Sequence, residues 1–190
     1  MKRIIIFASG SGTNAENIIK YFLEKKNAQV THVFSNNLRA KVLKRANSLG
    51  VKALHFDKES FYHTNEVLNI LLDAKPDVII LAGFLWIFPK KIIDAFPNSV
   101  INIHPALLPK YGGKGMYGDH VHKAVIRNKE KESGITIHYV NEHYDEGAII
   151  FQATTPIAMT DTAADVAENI HALEYKHFPI VIEKVLFPKS

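Results

Sequence analysis

Five short apolar segments, each followed by a stretch with helical spacing or a loop, decide most of what this chain can fold into. Residues 3–8, 29–34, 51–55, 77–82 and 99–104 read as strands. The segments IIIF and VIIL carry no polar alternation, as expected of strands covered on both faces. Between the strands, residues 13–26, 38–49, 61–72 and 89–95 read as helices. The first places Ile18, Ile19, Phe22 and Leu23 on one face, and the second stops at Gly50, a residue suited to a helix end. This β-α repetition predicts an α/β fold: a Rossmann-like, mostly parallel sheet flanked by helices.

The second half breaks the repetition. Residues 107–118 form a loop with four glycines, 119–128 a helix, and 135–140 and 148–154 two strands joined by NEHYDEG. Those two strands are expected to pair antiparallel near the C-terminus. Residues 161–187 read as helical, with an interruption at Pro179. At 190 residues without repeat, linker or low-complexity tract, residues 1–190 are expected to form a single domain.

Composition excludes several classes. With no cysteine there is no disulfide, no thiolate metal site and no Cys nucleophile. The apolar run in MKRIIIFASGSG is too short for a signal peptide and leads into a glycine turn. No stretch approaches the roughly 18 apolar residues of a membrane span. The net charge of +4 is spread over pairs such as Lys2-Arg3, Lys25-Lys26, Lys44-Arg45 and Lys90-Lys91. That pattern suits solvated lysines and small anionic substrates better than a nucleic-acid surface. A cytoplasmic protein, monomeric or homodimeric, without nucleic-acid or membrane partners is expected.

Ligands of open α/β sheets sit at the carboxyl ends of the strands. Two such ends carry polar residues. Gly10-Ser11-Gly12-Thr13-Asn14-Ala15 joins the first strand to the first helix and matches G-x-G-x-x-A. Strand two lacks the acidic end of a dinucleotide site, and there is no G-K-[ST]; the turn reads either as a plain tight turn or as a phosphate monoester site at a helix N-terminus. In INIHPALLP, Asn102 and His104 share one face of a strand that Pro105 ends. They read either as a satisfied buried pair or as an amide and an imidazole placed to stabilise an oxyanion and move a proton. Asp145, in the downstream loop, is a capping carboxylate or the partner of His104; in the second role it would raise that histidine's pKa and hold it protonated. His120, His122, His138 and His143 show no recognised metal spacing, so no metal is expected. LAGFLWIFP contains the single tryptophan and is either core or a wall for a flat heteroaromatic ligand.

FASGSGTN, SNN, LAGFLWIFP, INIHPALLPKYGG, GITIHYVNEHYDEG and LEYKHFP occur in this order. Together they resemble the folate-dependent formyltransferases that use 10-formyltetrahydrofolate, and FASGSGTN is similar to their glycinamide ribonucleotide branch. The resemblance runs over nearly the whole chain. It implies formyl transfer from 10-formyltetrahydrofolate, a co-substrate, to the amine of N1-(5-phosphoribosyl)glycinamide in purine (IMP) biosynthesis. It implies a catalytic trio of Asn102, His104 and Asp145. The ribonucleotide would sit on Gly12, Thr13 and Asn14, with His171 and Glu174 facing it. Folate contacts would come from Lys58, Leu85, Trp86, Ile87, Phe88, Asn102, Asn141, Glu142, His143 and Tyr144. Trp86 stands where relatives often carry a basic residue, and KYGGKGMYGDHVH is longer than the family's usual loop.

Other readings remain. A formyltetrahydrofolate hydrolase shares the trio, but is expected to carry an extra N-terminal regulatory domain. A methionyl-tRNA formyltransferase is expected to need a further C-terminal domain, for which 190 residues leave no room. A non-catalytic nucleotide-binding module needs only the glycine turn, and a nicotinamide oxidoreductase would want the missing strand-two acid.

Overall fold

A computed structural model describes residues 1–188. Seven strands form one sheet: β1 (Lys2–Phe7), β2 (Ala28–Ser35), β3 (Lys52–His55), β4 (Val78–Leu81), β5 (Val100–His104), β6 (Glu132–Tyr139) and β7 (Ile149–Pro156). Their order is β3-β2-β1-β4-β5-β6-β7. The first five run parallel; β6 is antiparallel to β5, and β7 to β6. The chain winds outward from β1 through β2 to β3, then restarts on the other side of β1 with β4. A crevice opens where the winding reverses, at the carboxyl ends of β1 and β4. Ser9 bridges it: its N–H donates to the Gly83 carbonyl at 3.0 Å and its Oγ accepts from Leu85 N at 3.0 Å.

The alternation of β1 divides the core. Ile4 and Ile6 join an aliphatic cluster with α1 (Thr13–Lys25), α2 (Lys41–Ser48) and α6 (Ala163–Leu186), while Ile5 and Phe7 face an aromatic cluster with Phe34, Phe56, Phe61 and Phe88. Phe7 is its centre, stacked on Phe34 at 4.8 Å and edge-on to Phe88 at 5.1 Å. The remaining helices are α3 (Glu66–Ala74), α4 (Lys90–Ala95) and α5 (Asp119–Arg127).

Four expectations are corrected. The stretch 61–72 is not one helix. Glu59–His63 makes a wide turn, closed by Thr64 N–H on the Glu59 carbonyl, and α3 starts only at Glu66. Phe61 is held in the aromatic cluster while Lys91 Nζ donates to the carbonyls of Tyr62 and Thr64, so the break is satisfied. The second helix starts at Lys41, not 38, because Asn37 closes a turn through its carbonyl to Ala40 N and its side chain to Arg39 N. Leu23 is exposed; α1 buries Ala15, Ile18, Ile19 and Phe22 instead.

Pro179 does not interrupt α6, which runs through it. A proline there frees the carbonyl four residues back. That carbonyl, on Tyr175, accepts from the Asn17 side chain at 2.9 Å, so α1 supplies the missing partner. A reciprocal Thr162–Asp165 cap opens the helix.

Candidate active site

One cavity of about 650 Å³ follows the carboxyl edge of the sheet from the glycine turn to the 141–145 loop. Its first end is made of backbone. Gly12 adopts a left-handed φ of 74°, and α1 begins at the next residue with no side chain capping its first turn. The free N–H groups and the helix dipole together favour an anion. An added Cβ on Gly12 would lie 2.3 Å from Val42 Cγ2 and 2.7 Å from its Cα, so glycine is also demanded by the packing of α2.

Glu174 closes this end. It is 6% exposed, and its Oε2 accepts from Asn14 Nδ2 at 2.8 Å and meets His171 Nδ1 at 3.1 Å. That hydrogen bond to Glu174 raises the His171 pKa against the opposing effect of burial. His122, on α5, is fully covered beside them; burial first, and the neighbouring His171 second, push its pKa down.

The second end is made of side chains from separate elements. β5 pairs with β6 so that Asn102 lies opposite His138 and His104 opposite Thr136. Ile101, Ile103, Ile135 and Ile137 take the other face into the aliphatic core, which leaves the polar residues on the cavity side. Thr136 supports the chain after Pro105, donating to the Ala106 carbonyl and accepting from Leu108 N. Asp145, at a left-handed φ of 57°, brings its carboxylate between the two strands' residues. Its Oδ1 lies 3.5 Å from Asn102 Nδ2 and 3.6 Å from His138 Nε2, and its Oδ2 3.5 Å from His104 Nδ1. The Gly113 N–H donates to Oδ2 at 2.9 Å. The loop can pass here because Gly147 has no side chain: a Cβ would fall 1.6 Å from the Tyr139 carbonyl oxygen.

Burial pulls the Asp145 pKa upward, but contacts with His138 and His104 and the Gly113 N–H outweigh it and hold the carboxyl below its usual range. His104 goes the other way from expectation. It is 3% exposed, and burial lowers its pKa although Asp145 and the Tyr111 carbonyl both act to raise it. The carboxylate is shared with Asn102, His138 and Gly113 and stands 3.5 Å away, too far to offset the loss of water. A carbonyl can only accept, so the Nε2 that lies 2.7 Å from Tyr111 O carries the proton. His104 is therefore neutral near pH 7, with its Nδ1 lone pair turned to Asp145 and ready to gain a proton when negative charge appears nearby.

All the residues expected at the site line this cavity except Lys58 and Glu142. Lys58 lies outside, with Nζ 5.7 Å from the Trp86 ring centre, and the Glu142 carboxylate lies 3.8 Å from the His143 ring. Trp86 serves as wall and core together: it lines the cavity, stacks on Tyr62 at 5.9 Å and meets Phe56 edge-on. Ser9, His122, His138 and the 113–118 loop also line the cavity, and sequence reasoning gave them no role there. Pairing β5 with β6 would have found His138, since it alternates with Thr136 on the face shared with Asn102.

Residues 2–182 match the formyl transferase family. The chain is 35% identical over 187 residues to the chloroplastic phosphoribosylglycinamide formyltransferase of Arabidopsis thaliana, covering 95% of this chain and 64% of that one. To the phosphoribosylglycinamide formyltransferase of Escherichia coli it is 33% identical over 185 residues, 94% of this chain and 84% of that one. Thus it spans less than two thirds of the plant relative and most of the bacterial one. A solved structure of glycinamide ribonucleotide transformylase 1 from Symbiobacterium toebii superposes with a TM-score of 0.89 at 33% identity, over 98% of this chain and 88% of that chain.

Proposed function

The chain belongs to the formyl transferase family, and from that premise we propose that it transfers the formyl group of 10-formyltetrahydrofolate to the primary amine of N1-(5-phosphoribosyl)glycinamide. One observation carries this reading: Asn102, His104 and Asp145 converge on the same cavity whose far end is an uncapped helix N-terminus behind a glycine turn. The phosphate takes the backbone N–H groups of residues 12–14. The pterin lies between Leu85–Phe88 and the 141–145 loop, along Trp86.

The amine attacks the formyl carbon, and negative charge grows on the formyl oxygen. The Asn102 amide donates to it, and so does His104 once its Nδ1 is protonated, the Nε2–H being held by the Tyr111 carbonyl; one such donor typically contributes about a hundred- to a thousandfold in rate. The proton that His104 Nδ1 gains comes across 3.5 Å from Asp145, which has taken it from the attacking amine. Overall one proton leaves the attacking nitrogen and one must reach N10 of the folate as the C–N10 bond breaks. Asp145, an ionised carboxylate, takes the first and returns it. No covalent intermediate on the protein is required.

The assay is direct. Folate absorbance is followed after mixing the protein with 10-formyltetrahydrofolate, with and without the ribonucleotide. Turnover only when the ribonucleotide is present supports transfer. Equal turnover in its absence would identify a hydrolase instead.

A further inference from the structure

The cavity, on the reading above, accepts a dianionic phosphate and a folate bearing glutamate carboxylates. Among the described residues lining it, a single side chain carries a permanent positive charge, Lys114. It stands on the loop that is longer than the family's usual form. Lys114 has no ion-pair or hydrogen-bond partner among the described residues, unlike Arg45, which is engaged by Glu16 and the Ser11 carbonyl. The buried carboxylate of Glu174 is offset by His171 at 3.1 Å. The glycine turn, for its part, offers an anion the N–H groups at the start of α1.

The path of the loop places Lys114 between the Asp145 carboxylate and the wall of the cavity that α5 and α6 share. Tyr111 and Gly113 are tied to His104 and Asp145. Met116 packs on Ala106, Val121 and Val125, Tyr117 meets His120, and α5 then carries His122 to the wall it shares with His171 and Glu174. Residues 114–118 therefore run from the Asp145 carboxylate to the α5–α6 side of the cavity. Gly113 and Gly115 flank the lysine with φ of +91° and +89°, and nothing stands within 4 Å of a Cβ added to either. Glycine is there for backbone shape, not for space.

We propose that Lys114 binds the phosphate of the ribonucleotide, adding to the glycine turn the fixed charge it lacks. The interaction is a charge-assisted hydrogen bond to a dianion, which depends on the lysine's charge. It rests on the ribonucleotide reading but can be tested apart from it.

Lys114→Gln keeps length and removes charge; Lys114→Arg keeps charge. With Lys114→Gln, the KM for the ribonucleotide should rise roughly ten- to a hundredfold, with kcat and the folate KM within about twofold. Lys114→Arg should recover most of the loss. With glycinamide riboside, which lacks the phosphate, wild type and Lys114→Gln should perform alike. A calorimetric titration with ribose 5-phosphate should show the same tenfold or greater weakening without any turnover. An unchanged ribonucleotide KM overturns the proposal, as does an equal penalty on the riboside or a rise confined to the folate KM, which would assign the charge to the glutamate carboxylates. Ribose 5-phosphate that binds both proteins equally, or neither, also overturns it. A wild type that weakly binds ribose 5-phosphate through Lys114 yet never formylates the ribonucleotide would instead sink the reading of the reaction and leave the phosphate contact standing.

Discussion

The two ends of the cavity are built on different principles. At the glycine-turn end the proposed anion cradle is local: six consecutive residues, one helix N-terminus and a left-handed glycine make it, offering backbone N–H groups, with Glu174 and His171 of α6 closing the end behind it. The proposed catalytic end draws Asn102 and His104 from β5, His138 from β6, Asp145 from one loop and Tyr111 and Gly113 from another. Its properties come from how these groups share hydrogen bonds and exclude water. A local site tolerates change elsewhere in the fold, whereas a convergent one should fail as a unit.

The sharpest break of that comparison is Asp145→Asn. The change is nearly isosteric, so the fold and the binding of both substrates should survive, measured by circular dichroism and ligand titration. Turnover should fall by about a thousandfold or more, because the proton carrier and the charge beside His104 are lost together. A loss of ribonucleotide binding of similar size would mean that the two ends are not separate.

Gly12→Ala tests the local end, with a smaller expected effect. The added methyl meets Val42, and alanine disfavours the left-handed backbone. Together these should cost about 2–4 kcal/mol, or on the order of 5–15 °C in Tm for a chain of this size. The ribonucleotide KM should rise while the folate KM stays put. A variant as stable as wild type would show that α2 does not depend on this glycine.

The smallest effect concerns pH. His104 and His122 have pKa values lowered by burial from the ordinary 6.5, so the folded protein prefers them neutral. Their contribution is full above that value and is lost as pH falls below it. His171 has the opposite sign: its raised pKa stabilises below 6.5 and fades as pH rises, but it is half-exposed and screened. Calorimetric melting should therefore show Tm falling from pH 7 to pH 5.5, and falling less in His104→Asn. A Tm that rises on acidification would make the histidine near Glu174, not the one near Asp145, dominant.

These differences also explain what could be read from the chain alone. Apolar runs such as IIIF and VIIL announced the parallel strands, and the glycine turn announced its own site, because each is decided within a few residues. Pro179 misled, since the partner of its freed carbonyl is Asn17, on a helix far away in sequence. The 61–72 helix misled because burial of Phe61 and the reach of Lys91 override helical spacing. Asp145 was visible as a residue, but the charge state of His104 was not: it depends on the desolvation of a strand end and on a carboxylate divided among several partners.

The central claim, that Asn102, His104 and Asp145 act as one catalytic unit, is tested most directly by a double-mutant cycle on turnover. His104→Asn, Asp145→Asn and the combined variant are compared at saturating concentrations of both substrates, with their folds checked. A single unit predicts that the double variant is within a few-fold of the poorer single variant, because the second change removes nothing that still functions. Losses that multiply in the double variant would contradict it and make the two residues independent contributors.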